Sequence, residues 1–258
     1  MNEENLIKYY NKFNEDKRLN TKHGNIEFKT ALYYIDKYIK PNNKILDIGA
    51  GTGKYSIYYS DKGYDVTAVE LVKHNLKVIE KNNKDIKCIL GNAIDLSMIK
   101  DNTYDITLLF GPMYHLISYE DKLKALNEAK RVTKNNGYIF ISYCMNEYAL
   151  ITHGFIDNNI ISEIDNKRVN NDYKITSKED DLYSFVRLDD INKLLENSNL
   201  SRVTILSQDG PTEYIKKSVN KMDNKTLDIF FDYHLKTCEY PELLGAGRHV
   251  LDILQKFE

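Results

Sequence analysis

Residues 44–53, Lys-Ile-Leu-Asp-Ile-Gly-Ala-Gly-Thr-Gly, decide the fold. Lys44–Ile48 is an apolar run of strand length, and glycines follow it at 49, 51 and 53. A helix opens directly afterwards at Tyr55–Ser60, with Gly63 as its C-terminal stop. Glycines between a strand and a helix let the backbone turn sharply and let a ligand approach where a Cβ would block it. In doubly wound folds such a loop sits at the carboxyl end of the first strand, where nucleotide-like ligands bind. Asp65–Val69 reads as the second strand, and Glu70 ends it, 21 residues after Gly49. An acidic side chain at that place accepts hydrogen bonds from ribose hydroxyls.

The same rhythm continues outward. A helix runs through Lys81, Ile86–Leu90 is a third strand and Tyr104–Phe110 a fourth. Ser118 and Asp121 form an S-x-x-D cap for a helix reaching about Lys134, which turns Leu123, Leu126, Ala129 and Val132 inward. Asn135-Asn136-Gly137 breaks it, and Tyr138–Cys144 is the fifth strand. Short apolar strands alternating with helices predict a parallel, doubly wound α/β sheet. Residues 1–40 are helical by the spacing of Leu6, Ile7, Tyr10 and Phe13, then of Phe28, Leu32, Ile35 and Ile39. Residues 145–186 are polar and without a clean period, a partly helical insert. Beyond them come a helix at Leu188–Asn197, a strand at Arg202–Leu206, mostly helix over 211–236 and a last strand at His249–Gln255. The division is one domain over 1–258. It has a helical segment (1–40), a ligand-binding core (41–144), an insert (145–186) and a C-terminal part of the sheet (187–258) with a helical insertion at 211–245.

Composition narrows the function. The 258 residues carry 36 basic and 38 acidic side chains, a net charge of −2, without a basic stripe. A chain that holds nucleic acid by neutralising phosphates is usually far more basic, so nucleic acid is not the expected partner. No run approaches the roughly 18 apolar residues of a membrane span, and Met-Asn-Glu-Glu-Asn-Leu-Ile-Lys is not a signal peptide. Cys88, Cys144 and Cys238 are an odd number at wide spacing, read as core thiols of a reduced cytoplasmic protein, and no Cys/His spacing predicts a metal. Tyrosine (20 residues) and asparagine (27) are so frequent that an aromatic cluster carries little weight alone.

The glycine spacing discriminates between cofactors. A dinucleotide fingerprint needs a small residue where Lys54 stands, and a pyrophosphate disfavours a carboxylate such as Asp47. A cationic ligand with an amino-acid tail tolerates one. Asp47-Ile48-Gly49-Ala50-Gly51-Thr52-Gly53 resembles motif I, D/E-x-G-x-G-x-G, of the class I S-adenosylmethionine (SAM)-dependent methyltransferases. Glu70-Leu71 is similar to that family's acidic position after the second strand, and Gly91-Asn92-Ala93 to its Gly-Asp-Ala after the third. Asn92 departs from the usual Asp, yet its side-chain oxygen can accept from an adenine amino group. Phe110-Gly111-Pro112-Met113-Tyr114-His115 resembles a subset of small-molecule methyltransferases with G-P-x-Y-H after the fourth strand. The resemblance covers about 44–144 well, the C-terminal strands loosely and the insert at 145–186 not at all.

The resemblance implies a Rossmann-like, doubly wound, mostly parallel seven-stranded sheet with helical lid insertions, and SAM as cofactor. It implies SAM contacts from Asp47, Gly49, Ala50, Gly51, Gly53, Glu70, Leu71, Asn92, Ala93 and Phe110. Tyr10 and Arg18 add to these from an N-terminal segment folding over the cofactor, Arg18 as a guanidinium for its carboxylate. His115 and Tyr114 are the catalytic candidates. His115 is either a general base or substrate contact, or a histidine that fixes its own loop, and Tyr114 divides the same way. Tyr9, Tyr10, Tyr143, Tyr148 and Phe155 are candidates for an aromatic wall, against ordinary packing. His153, His234 and His249 have no identifiable partner and read as structural.

Methyltransferases of base amino groups carry N/D-P-P-Y/F where this chain has Gly111-Pro112-Met113-Tyr114, which disfavours nucleic-acid bases. The expected acceptor is a nitrogen or oxygen of a small molecule, nitrogen slightly favoured by lid residues Asp157, Glu163, Glu179, Asp180 and Asp181. The chain is expected to be a monomer or homodimer. A protein or peptide methyltransferase and a non-catalytic SAM-binding protein stay open as alternatives, with a nicotinamide dehydrogenase further off.

Overall fold

The computed structural model describes residues 5–7 and 19–257. Seven strands form one sheet in the order β3-β2-β1-β4-β5-β7-β6. They are β1 (Lys44–Ile48), β2 (Asp65–Glu70), β3 (Lys87–Leu90), β4 (Tyr104–Leu109), β5 (Thr133–Cys144), β6 (Ser201–Ser207) and β7 (His249–Gln255). β1 to β5 pair in parallel, whereas β7 is antiparallel to both β5 and β6. The expected strands are therefore present, with one reversed strand inserted near the edge.

Helices cover both faces: α1 (Lys22–Tyr38), α2 (Lys54–Asp61), α3 (Lys73–Asn82), α4 (Tyr119–Val132), α5 (Asn146–Ala149), α6 (Ile160–Asp165), α7 (Leu188–Glu196), α8 (Lys216–Lys221) and α9 (Asn224–Thr237). Strand side chains alternate between two cores, as a sheet buried on both sides requires. Leu46, Ile48, Ile139 and Ile141 pack with Ala125, Leu126 and Ala129 of α4 and with Ile191 and Leu194 of α7. Ile45, Ile106, Leu108 and Phe140 pack on the other face with Ala31 and Ile35 of α1, Tyr59 of α2 and Ile79 of α3. Among the described residues no helix is long and apolar enough to cross a membrane.

The boundary between α4 and β5 differs from expectation. The helix stops at Val132 and the strand starts at Thr133, so Asn135-Asn136-Gly137 lies inside the strand. Tyr104 faces Thr133 but Ile106 faces Tyr138, so four residues, 134–137, bulge out of the β4–β5 register. Asn136 is left-handed (φ 62°), and Gly137 sits where a Cβ would lie 2.9 Å from the Asp105 carbonyl. A turn composition therefore served a bulge instead of a helix-to-strand loop.

The chain leaves β3 at one side of β1 and re-enters the sheet at β4 on the other. That reversal opens a crevice at the carboxyl ends of β1 and β4, where ligands of open α/β sheets bind. The insert after β5 contains α5, a π-helical stretch over Leu150–Ile156 and α6, and returns through Val186, which bridges Met145.

Candidate functional site

A cleft partly open to solvent occupies that crevice. Asp47, Gly49, Ala50 and Gly51 line it from the β1 loop, Glu70 and Leu71 from β2, and Asn92 and Ala93 from the loop after β3. Phe110, Tyr114 and His115 line it from the β4 exit. Eleven sequence-derived candidates thus share one cavity. Gly53 is not among its walls. With φ 87° it starts α2, and its Cα faces Ile79, where a Cβ would lie 2.7 Å from Cγ1. Its absence of side chain serves helix packing, not ligand approach. Tyr10 and Arg18 lie outside the described residues.

The glycine loop is held from two sides. Gly49 N–H donates to the Val69 carbonyl at 2.8 Å, and Gly51 N–H to Glu70 Oε2 at 2.8 Å. Glu70 Oε1 accepts from Val72 N–H at 2.8 Å, so this carboxylate clamps the loop to the end of β2. Burial pushes the Glu70 carboxyl up, and the backbone donors pull it back. Gly51 has φ 56°, and nothing lies within 4 Å of where its Cβ would be. The missing side chain faces empty space at the cavity wall, which is the cradle a ligand needs and a Cβ would fill.

Asp47 is deeply buried and accepts from Ser56 Oγ at 2.7 Å. Burial pushes its pKa up to about 6, partly offset by that hydrogen bond and reinforced by nearby Glu70. A carboxylate so desolvated gains from a cation arriving beside it. Asn92 Oδ1 accepts from Ile94 N–H at 3.2 Å, which stabilises its own turn.

The β1 and β4 loops touch. A Cβ on Gly49 would lie 2.6 Å from Pro112 Cδ, and one on Gly111 would lie 3.1 Å from the Gly49 carbonyl. Gly111-Pro112 is therefore the surface against which the first glycine packs. After it, Pro112–Tyr114 forms a 3-10 turn, and the His115 N–H donates to the Pro112 carbonyl. His115 Nδ1 lies 2.8 Å from the Leu182 carbonyl. Since a carbonyl only accepts, Nδ1 carries the hydrogen and Nε2 the lone pair. Burial drives the His115 pKa down to about 4, with Lys122 adding to the fall and the Leu182 bond opposing it. Burial therefore makes the ring a neutral acceptor at pH 7, and a weak one for the general-base role considered from the sequence. Tyr183 stacks at 5.2 Å from it, and Ser184 N–H donates to the Tyr114 carbonyl at 2.7 Å. The returning end of the insert is thus strapped to the β4 exit.

Other expectations are redistributed. Tyr143 is a core residue, Phe155 is exposed and Tyr148 stacks on Tyr214, so these three form no common wall. Tyr55, Phe110 and Tyr114 are the aromatic rings of the cavity instead. Asp157, Glu179 and Asp180 are exposed on the insert and Glu163 and Asp181 partly so, none of them at the cavity. The sequence reading missed Glu27, Asn75 and Ser142, which also line it. Glu27 carried one signal: it sits on the buried face of α1 with Thr30 and Tyr34, an acidic residue at core positions. His249, read as having no partner, has two: Nδ1 is 2.8 Å from Asp209 Oδ2 and 3.5 Å from Glu27 Oε2.

Residues 46–141 match the family described as a methyltransferase domain. A demethylmenaquinone methyltransferase of Renibacterium salmoninarum is 38% identical over 102 residues, 40% of this chain and 41% of that protein. One from Paenarthrobacter aurescens is 39% identical over 104 residues, 40% of each. The match spans about two-fifths of the length of these curated relatives. Among solved structures, a SAM-dependent methyltransferase from Methanosarcina mazei superposes with a TM-score of 0.59 at 16% identity, covering 87% of this chain and 97% of that one. A Pyrococcus horikoshii protein gives 0.60 at 16%, covering 96% and 98%.

Proposed function

We propose that this chain, a class I SAM-dependent methyltransferase, moves a methyl group from SAM to a nitrogen or oxygen of a small molecule by in-line displacement. The observation that carries this reading is the single cavity shared by the β1 glycine loop, Glu70, Asn92 and the Tyr114-His115 turn. The residues fit the cofactor. Gly51 leaves open space for it and Asp47 offers a buried carboxylate to its cationic end; in this reading Glu70 would accept from its ribose hydroxyls and Asn92 from its adenine amino group, both of them lining the cavity.

Bound SAM supplies an electrophilic sulfonium methyl, so the protein's task is to align an acceptor lone pair with it. Alignment alone contributes several kcal/mol, of the order of 7–11 in the best intramolecular cases. In this reading the β2–β3 end of the cavity holds the nucleoside and the β4–β5 end holds the acceptor. His115 Nε2 presents an acceptor to a hydroxyl or amine N–H, and Leu182 fixes the ring through Nδ1. Such a neutral imidazole orients a substrate proton and assists its departure as positive charge builds on the attacking atom.

A small-molecule acceptor is supported by the net charge of −2 and by the relatives named for a quinone substrate. Relatives named as ribosomal RNA methyltransferases match shorter stretches, 28% and 19% of this chain. Transfer of labelled methyl from SAM to a panel of small amines and phenols tests the reading. His115→Ala is expected to lower turnover by about 10²-fold or more while SAM affinity changes less than about threefold. Normal turnover in that variant would return His115 to a loop-fixing role.

A further inference from the structure

Glu27, Asp209 and His249 come from α1, the β6 exit and the first residue of β7. The topology brings them to one place. β7 runs against β5 and β6 runs against β7, so the start of β7 and the end of β6 both lie at the rim formed by the carboxyl ends of the parallel strands. His249 pairs with Cys144 across β5–β7, next to Ser142, which lines the cavity. The Tyr114 ring lies 6.2 Å from the His249 ring. The trio therefore borders the β4–β5 end of the cavity, away from Glu70 and Asn92, and Glu27 is the member that lines it.

The cluster is built with care. Asp209 takes both the backbone N–H (3.1 Å) and Nδ1 (2.8 Å) of His249 on its two oxygens. Gly247 makes room for this, because a Cβ there would lie 3.1 Å from Asp209 Oδ1 and 2.7 Å from Ser207 Oγ. All three side chains are buried. Burial by itself would lower the His249 pKa, but Glu27, Cys144 and Asp209 push it up to about 10, so the ring is an imidazolium at neutral pH. Buried ion clusters stabilise a fold poorly compared with apolar packing, and buried titratable groups at a cavity mark function.

We propose that Glu27, positioned by the Asp209–His249 pair, binds the ammonium group of a cationic substrate as an anchor, while a different, unprotonated nitrogen or oxygen of that substrate supplies the lone pair that accepts the methyl. The inference rests on the methyltransferase reading above and names the substrate class for its acceptor end. Glu27 receives ammonium N–H groups as a charge-assisted acceptor, while Asp209 and His249 are positioning residues: Asp209 holds the ring through Nδ1, and the imidazolium so held lies 3.5 Å from Glu27 Oε2. The 2.8 Å Nδ1–Oδ2 contact is that of a proton-bearing hydrogen bond, and that proton would have to leave before Nδ1 could ligate a metal ion.

The test uses the full chain saturated with S-adenosylhomocysteine (SAH), titrated calorimetrically with three amine–alcohol pairs of matched shape. These are phenethylamine with 2-phenylethanol, cyclohexylamine with cyclohexanol, and butylamine with butanol. At least one amine is expected to bind about tenfold or more tightly than its alcohol, the ratio of about 1.4 kcal/mol. Glu27→Gln should abolish that preference and Asp209→Asn reduce it, each with SAH affinity kept within about twofold. A merely structural trio would not move the amine-to-alcohol ratio. Absence of a preference in the unmodified chain overturns the inference with no variant needed. So does a preference that survives Glu27→Gln, or Zn2+ binding that displaces the amines. If SAH itself does not bind, the methyltransferase reading fails and takes this inference with it. If SAH binds and no pair discriminates, only the inference fails.

Discussion

Asp47 and Gly51 sit four residues apart, and substitution at either is expected to weaken SAM binding, at Asp47 with a gain in stability. In the ligand-free protein the Asp47 carboxyl has a pKa of about 6, above its unfolded value, because burial disfavours the charge. The native state then binds the proton more tightly than the unfolded chain, so this group's contribution is favourable below about pH 4 and is lost as pH rises through about 6. Asp47→Asn, which removes the charge, should raise the thermal midpoint of the ligand-free protein relative to the unsubstituted chain at pH 7, and the gap should close near pH 4. Thermal melts of both proteins at the two pH values check this. The same substitution should weaken SAM binding, the pairing of gained stability with lost function that marks a site residue. Gly51→Val places a side chain in the open space at the cavity wall and forces a β-branched residue to φ 56°. It should abolish SAM binding while circular dichroism shows the sheet intact; unchanged affinity would remove the loop from the site. Gly49→Val is a poorer probe, since it collides with Pro112 and perturbs packing as well.

At the scale of elements, the parallel half of the sheet was legible because its signals are local. β1, β2 and the helix of α4 need only an apolar run, a glycine loop or a cap to be seen. Ser118 Oγ accepts from Asp121 N–H at 3.1 Å, as the S-x-x-D spacing predicts. Ser118→Ala should cost about 1 kcal/mol of stability, read from denaturant melts, with no change in the slope of unfolding. The 134–137 bulge was not legible, because asparagine and glycine suit a turn and a bulge equally and only the β4 register decides between them. Nor was the contact of Gly49 with Pro112, although both residues belong to quoted motifs. It depends on two loops 60 residues apart meeting at the point where strand order reverses.

Over the whole molecule, what stayed hidden are groups assembled from distant parts of the chain. Glu27, Asp209 and His249 share no spacing rule, and each looks ordinary where it stands in the sequence. The antiparallel placement of β7 between β5 and β6 is what brings the last two to the rim. The insert behaves likewise: its polar composition predicts a partly helical insert, while its role in fixing His115 through Leu182 and Tyr114 through Ser184 follows only from its return path. Most of the cavity's residues between 47 and 115, Tyr114 and His115 among them, were thus marked by local motifs, whereas Glu27, Asn75 and Ser142, which also line it, were not. The central claim is that this cavity binds SAM. Calorimetric titration of the purified chain with SAM and SAH, with NAD as control, addresses it directly. Micromolar binding of both sulfur ligands and none of NAD is expected; failure of both to bind, or binding of NAD in their place, would rule out SAM as the ligand of this cavity.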